Sequence, residues 1–262
     1  MKILVLLKKT PDTETKIKFS SDNSAIDNAG VKFIINPYDE FAIEEALKVK
    51  EKTGGEVVIA SFGDESCKEL IVKGLAMGAD RGLLVNNEGL ESVDSSAVAE
   101  VLAAAVKSES PDLVFCGKQA IDDDNMHVGT MCAEYLEWPH VNVVTKFELN
   151  DRKATVEREV EGGQVEVYEV ELPAVFGAHK SLNTPRYASL PGIMKAKKKP
   201  LDRKTPGDLG VDVGSLQGRA SAKVTGFSFP PEKPPGKVFK DEPVDQMVAT
   251  VVQALREEAK II

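Results

Sequence analysis

The chain has 262 residues, 42% of them apolar and 29% charged, enough for one large core or two small ones and ordinary for a folded globular protein. Its formal net charge of −9 argues against general nucleic-acid binding, because a phosphate backbone would meet a repulsive average surface. No apolar run reaches the roughly 18 to 20 residues of a membrane helix, so no membrane insertion is expected.

The first element predicted is a buried strand over Ile3–Leu7. A basic residue precedes this run in MKILVLLKK, but the run is too short for a signal sequence, and a cytoplasmic location is expected. Further strands are expected at Glu56–Phe62, Gly82–Val85 and Asp112–Cys116, each continuously apolar as in a parallel sheet covered on both faces. Helices are expected between them, near 38–53, 66–78, 93–107 and 127–137. This alternation predicts an α/β fold built on a Rossmann-like, mostly parallel sheet.

After Pro139 the pattern turns to extended segments, Val141–Leu149, Ala154–Val160, Val165–Leu172 and Ala174–Gly177, joined by turns at Asn150-Asp151 and Gly162-Gly163. They are expected as added edge strands or a small antiparallel layer. Residues 202–242 are rich in Gly and Pro, with PPEKPPG at 230–236, and predict an extended arm. Val244, Met247, Val248, Val251, Val252 and Leu255 then recur at helical spacing, so a terminal helix carries one apolar stripe. The expected division is an α/β domain over 1–201 and an arm with its helix over 202–262. Cys67, Cys116 and Cys132 lack any zinc-ligand spacing and are expected as reduced, mostly buried thiols, with no metal site.

Neither GxxxxGK[ST] nor GxGxxG occurs, so a different phosphate cradle is needed. Gly117–Gly129, GKQAIDDDNMHVG, lies between a predicted strand and a predicted helix, where free backbone N–H groups can hold a phosphate. Its three aspartates, Asp122, Asp123 and Asp124, read as helix caps or turn formers, and Lys118 supplies a compensating charge. Asn36 before Pro37 fits a helix cap. No arrangement for bond-making catalysis can be assembled from three histidines and three cysteines, so no catalytic residue is assigned.

Residues 181–201, SLNTPRYASLPGIMKAKKKPL, set Leu190 between Pro185 and Pro191, ahead of a lysine run. Prolines hold such a segment extended and limit its loop entropy, so an exposed Leu190 can enter a partner's pocket while Lys195, Lys197, Lys198 and Lys199 steer an acidic partner.

That segment, with NPYDEFAIEEAL at 36–47, LAMGADRG at 75–82, GKQAIDDD at 117–124 and EREVEGG at 157–163, resembles the β subunit of electron transfer flavoproteins. The resemblance implies one structurally bound AMP. Its phosphate would sit on the loop Lys118, Gln119, Ala120, Ile121, Asp122, Asp123, Asp124, Asn125, Met126, His127, Val128 and Gly129. Leu6, Asn36, Pro37, Tyr38, Asp39 and Phe62 would line the rest.

It further implies a heterodimer whose α subunit holds the redox FAD, and a C-terminal helix packed on that subunit. Acyl-CoA or related dehydrogenases would dock at Leu190 with Arg186, Tyr187, Pro191, Ile193, Met194 and Lys195, and electrons would leave to a membrane quinone oxidoreductase. Glu159 would reach the partner's flavin-bearing domain and pair with an arginine there. Many relatives read Asn-Gln-Thr where this chain has Met126-His127-Val128, which removes a hydroxyl and an amide from the phosphate shell. Bifurcating, NADH-oxidising members with a second FAD in this subunit tend to read Asp-Gly-Asp at Asp122-Asp123-Asp124; the bulkier aspartate favours AMP. The alternatives are that bifurcating type and a stand-alone nucleotide-binding module.

Overall fold

Lys2–Leu6 (β1) is apolar on both faces, which suits only the middle of a covered sheet. The computed structural model describes residues 1–262 except 88, 89, 91, 92, 219–221, 223 and 234, and places β1 there. Helix α1 (Pro37–Thr53) follows, then β4 (Glu56–Gly63), α2 (Cys67–Met77), β5 (Arg81–Asn86), α3 (Ser95–Glu109), β6 (Leu113–Gly117) and α4 (His127–Leu136). A short antiparallel ribbon of β2 (Lys9–Pro11) and β3 (Phe33–Ile35) lies between β1 and α1.

The second half of the main sheet comes from β7 (His140–Asn150), β8 (Lys153–Glu159), β9 (Val165–Glu171), β10 (Val175–Ala178) and β11 (Leu201–Lys204). Among the described residues nine strands form this sheet, in the order β11-β5-β4-β1-β6-β10-β7-β8-β9. Pairing is parallel from β11 to β7 and antiparallel from β7 to β9. The chain builds outward from β1 through β4 to β5 and then crosses back to β6 on β1's other side. Doubly wound sheets open a ligand crevice at such a reversal, beyond the carboxyl ends of the strands.

Helices α1 and α2 cover one face, with Ile43, Leu47, Ile71 and Leu75 buried against the sheet; α3 and α4 cover the other with Val101, Val106 and Cys132. Phe115, Phe147 and Phe176 meet on the first face with ring centroids 5.1 to 5.8 Å apart.

Three expectations change. The segment near Ala174–Gly177 is not an edge strand: β10 lies between β6 and β7, and all four of its residues are buried. A Val-Phe run with no polar residue has nowhere at an edge to hide both faces. The arm does not begin at residue 202 either. Strand β11 pairs in parallel with β5, and α6 (Val213–Gly218) buries Leu216 against the second core layer. Contacts divide the chain at 225/226.

Residues 226–262 carry α7 (Val244–Glu257), in which no residue is buried. Its stripe and the preceding Val238 and Phe239 line a groove of about 480 Å³. Pro234 of PPEKPPG lies outside the described residues. No helix among the described residues is long and apolar enough to cross a membrane, and there the three cysteines are buried and free.

Third, the segment around Leu190 is not extended throughout. Ser189 caps a short helix, α5 (Leu190–Ala196), by accepting a hydrogen bond from the Gly192 N–H at 3.1 Å. Pro191 falls in its first turn, where an N–H has no helical partner to lose, so a residue expected to hold an extended chain starts a helix instead.

Candidate nucleotide pocket and docking surface

Asp39 is the knot of the switch point. Buried in the first turn of α1, its carboxylate accepts from the Lys8 N–H beyond β1 at 2.7 Å and from the Gly117 N–H ending β6 at 2.9 Å. Asn36 donates to it at 2.9 Å. Burial pushes the Asp39 carboxyl up to about 7, against these donors and the nearby Lys8 charge.

Asn36 is not the helix cap its position suggests. It makes no capping bond; its amide donates to the Gln119 carbonyl at 2.8 Å and its Oδ1 accepts from the Ile121 N–H at 3.2 Å. The side chain therefore ties the start of α1 to the loop after β6.

Between these elements lies a cavity of about 300 Å³. Of the residues singled out from sequence, Leu6, Asn36, Asp39 and Phe62 line it, as do Lys118, Gln119, Ala120, Asp123, Asn125, Met126, His127, Val128 and Gly129. Pro37, Tyr38, Ile121, Asp122 and Asp124 do not. Tyr38 presents its ring to the Lys118 ammonium at 5.3 Å.

Helix α4 begins at Met126, held at φ 58°, with no side-chain cap, so its first amides have neither a helical partner nor a capping side chain. The aspartates do not cap it. Lys8 pairs with Asp122 at 2.8 Å and Asp123 at 2.9 Å, and Asp124 accepts from the Gln119 amide. Two of the three carboxylates that would repel an anion thus share a cation that reaches across from the end of β1.

The sequence did not point to the rest of the lining: Leu7, Lys8 and Cys116 from the strand ends, and Val93, Asp94, Ser95, Val98 and Leu102 from the start of α3. Strand-end positions can be read by extending the β1 and β6 runs. The α3 wall had no such signal, since only the crossing of the chain over the sheet brings that helix to the site.

Some 180 residues along the chain, α5 displays a second surface. Leu190 is 79% exposed and Tyr187 98%, with Met194 and Ile193 beside them. Together these four side chains form an exposed apolar patch. Pro191, Lys195, Lys197 and Lys198 are also exposed. Two expected members of this surface face inward. Arg186 forks onto Glu44 and Glu51 of α1, with Nε 2.8 Å from Glu44 and Nη1 2.5 Å from Glu51. Lys199 donates to the Leu75 carbonyl at 2.9 Å and to that of Ala79, satisfying the end of α2. Glu159, at the end of β8, is exposed.

An electron transfer flavoprotein domain profile matches residues 24–209, which include the cavity lining from Asn36 onward and the segment around Leu190. The chain belongs to the electron transfer flavoprotein β-subunit family. It is 42% identical over 265 residues to the electron transfer flavoprotein subunit beta of Bradyrhizobium diazoefficiens, covering the whole of both chains. Identity is 41% over 263 residues to that of Bacillus subtilis, again covering both chains completely. With the Homo sapiens subunit it is 42% over 252 residues, covering 95% of this chain and 96% of that one.

Proposed function

We propose that this chain is the electron-carrier β subunit of a heterodimer, binding AMP structurally while an α partner holds the FAD that collects electrons. Acyl-CoA-type dehydrogenases dock at Leu190, and the reduced assembly delivers to a membrane quinone oxidoreductase. The flavin supplies the electron chemistry; this chain supplies platform and docking point. The observation that carries the reading is the exposed Leu190 on an ordered, capped turn.

The residues present fit a mononucleotide. A cavity of about 300 Å³ stands at the small end of the roughly 300 to 1,000 Å³ usual for ligand sites, which favours AMP over a dinucleotide. Leu6, Phe62, Val98 and Leu102 offer an apolar slot for a base, and the uncapped start of α4 offers amides to a phosphate. Lys118 and His127 stand at that end, so the amide and hydroxyl absent at Met126-His127-Val128 have substitutes. Glu159 is free to meet the partner's flavin domain, and the unburied stripe of α7 to meet the partner itself.

Counting ligands in the purified assembly tests all of this. One FAD and one AMP per heterodimer are expected. Two FAD would replace the reading with a bifurcating, NADH-oxidising subunit, and a stable flavin-free monomer would replace it with a stand-alone binding module.

A further inference from the structure

Arg186, four residues before the exposed Leu190, is turned onto α1. Arg186 has its whole guanidinium engaged: Nε and Nη2 lie 2.8 and 2.9 Å from the two oxygens of Glu44, and Nη1 lies 2.5 Å from Glu51. Its backbone N–H also donates to Glu44, at 3.1 Å. Three residues earlier, Asn183 donates to Glu45 at 2.9 Å and to the Phe41 carbonyl at 3.0 Å. Downstream, Ala196 is buried and Lys199 is fastened to the end of α2. The segment carrying Tyr187, Leu190, Ile193 and Met194 is therefore pinned at both ends to two neighbouring helices, while its middle stands in water.

From this we infer that Arg186, on its Glu44–Glu51 fork, is a positioning residue for docking and not itself a docking contact. The inference rests on the docking reading above and adds how the surface is held ready. A planar fork fixes both the direction and the reach of the chain leaving it, which a single ammonium would not do. An anchor fixed before encounter avoids the ordering cost that a loose loop meets on binding. Glu44 is buried and Glu51 exposed, so the inner pairing sets the geometry and the outer one completes it.

The test uses the complete flavin-loaded heterodimer, with an acyl-CoA dehydrogenase and its acyl-CoA substrate as electron donor. Arg186→Gln and Glu44→Gln are each expected to raise the KM for the heterodimer about tenfold with kcat unchanged, to lower the melting temperature without unfolding the chain at the assay temperature, and to speed amide exchange over residues 187–196. The two combined are expected to be no worse than either alone, since both cut the same fork. Arg186→Lys is expected to recover part of the affinity.

A raised KM for Arg186→Gln with an unchanged one for Glu44→Gln would mean that the arginine touches the partner, and would overturn the inference. So would an unchanged KM in both while Leu190→Ala raises it. If Glu44→Gln does not fold, Glu51→Gln takes its place, with a smaller rise expected and no rise overturning the inference. Should Leu190→Ala also leave KM unchanged, it is the docking reading itself that fails.

Discussion

Glu109 ends α3, where the helix dipole disfavours a negative charge, and its side chain is only 8% exposed. Burial pushes its carboxyl upward, but hydrogen bonds and charge from Arg81 and Lys2 outweigh that and bring it down to about 2. Arg81 lies 2.5 Å from it and Lys2 2.9 Å, so the first residues of β5 and β1 are held by the end of α3. Because the folded value lies below the ordinary 4.5, this contribution to stability is fully present above about pH 4.5 and is lost as pH falls toward 2. Glu109→Gln should cost about 2 kcal/mol at neutral pH, since Arg81 keeps Glu56 and Asp202. The variant should also show a shallower fall in urea midpoint between pH 4.5 and 2 than the parent chain; equal slopes would remove the linkage.

At the scale of elements, the nucleotide pocket depends on how closely α1 approaches the end of β6. A Cβ built on Gly117 would stand 2.5 Å from the Asp39 carboxylate, 2.6 Å from Tyr38 Cβ and 2.9 Å from the Tyr38 backbone carbon, so no flexible tip can simply swing aside. Gly117→Ala should therefore destabilise the chain by about 1 to 3 kcal/mol, readable by thermal melting, and lower the AMP content proposed for the purified protein, readable by nucleotide release. The parallel strands and four covering helices of this region were legible because continuous apolar runs and amphipathic helices alternate along the chain. Pro191 and Asn36 were not legible: proline suits an extended chain and a helix's first turn alike, and only the Ser189 cap decides between them. Asn36 occupies a cap position, yet its partners at Gln119 and Ile121 lie more than 80 residues away, beyond any local signal.

For the whole molecule, periodicity showed the apolar stripe of α7 but could not say what covers it, because an identical pattern serves a helix folded onto its own core. Within residues 226–262 nothing covers the stripe fully, with Val244 69% and Val248 55% exposed. If α7 meets the α partner as proposed, replacing Val248 and Val252 together by Asp should weaken assembly by about 100-fold or more, since an interface core rejects unpaired charge. Gel filtration of the mixed subunits would read it, and a heterodimer of normal strength would remove that helix from the interface. The reversal of strand order, by contrast, could be anticipated once four helices and four parallel strands were in hand, and it sets where any ligand must lie.

Each side of the sheet also hides its own sulfur. Cys67 opens α2 at 1% exposure and Cys132 lies on α4 at 0%, in separate apolar layers, the second of which also holds Cys116 of β6, and burial pushes both helical thiols up, that of Cys132 to about 12. Neither can ionise readily or meet a bulky alkylating reagent until the helix above it lifts. The order in which the two become labelled would thus time the parting of one flank of the molecule against the other, with no probe added to the chain.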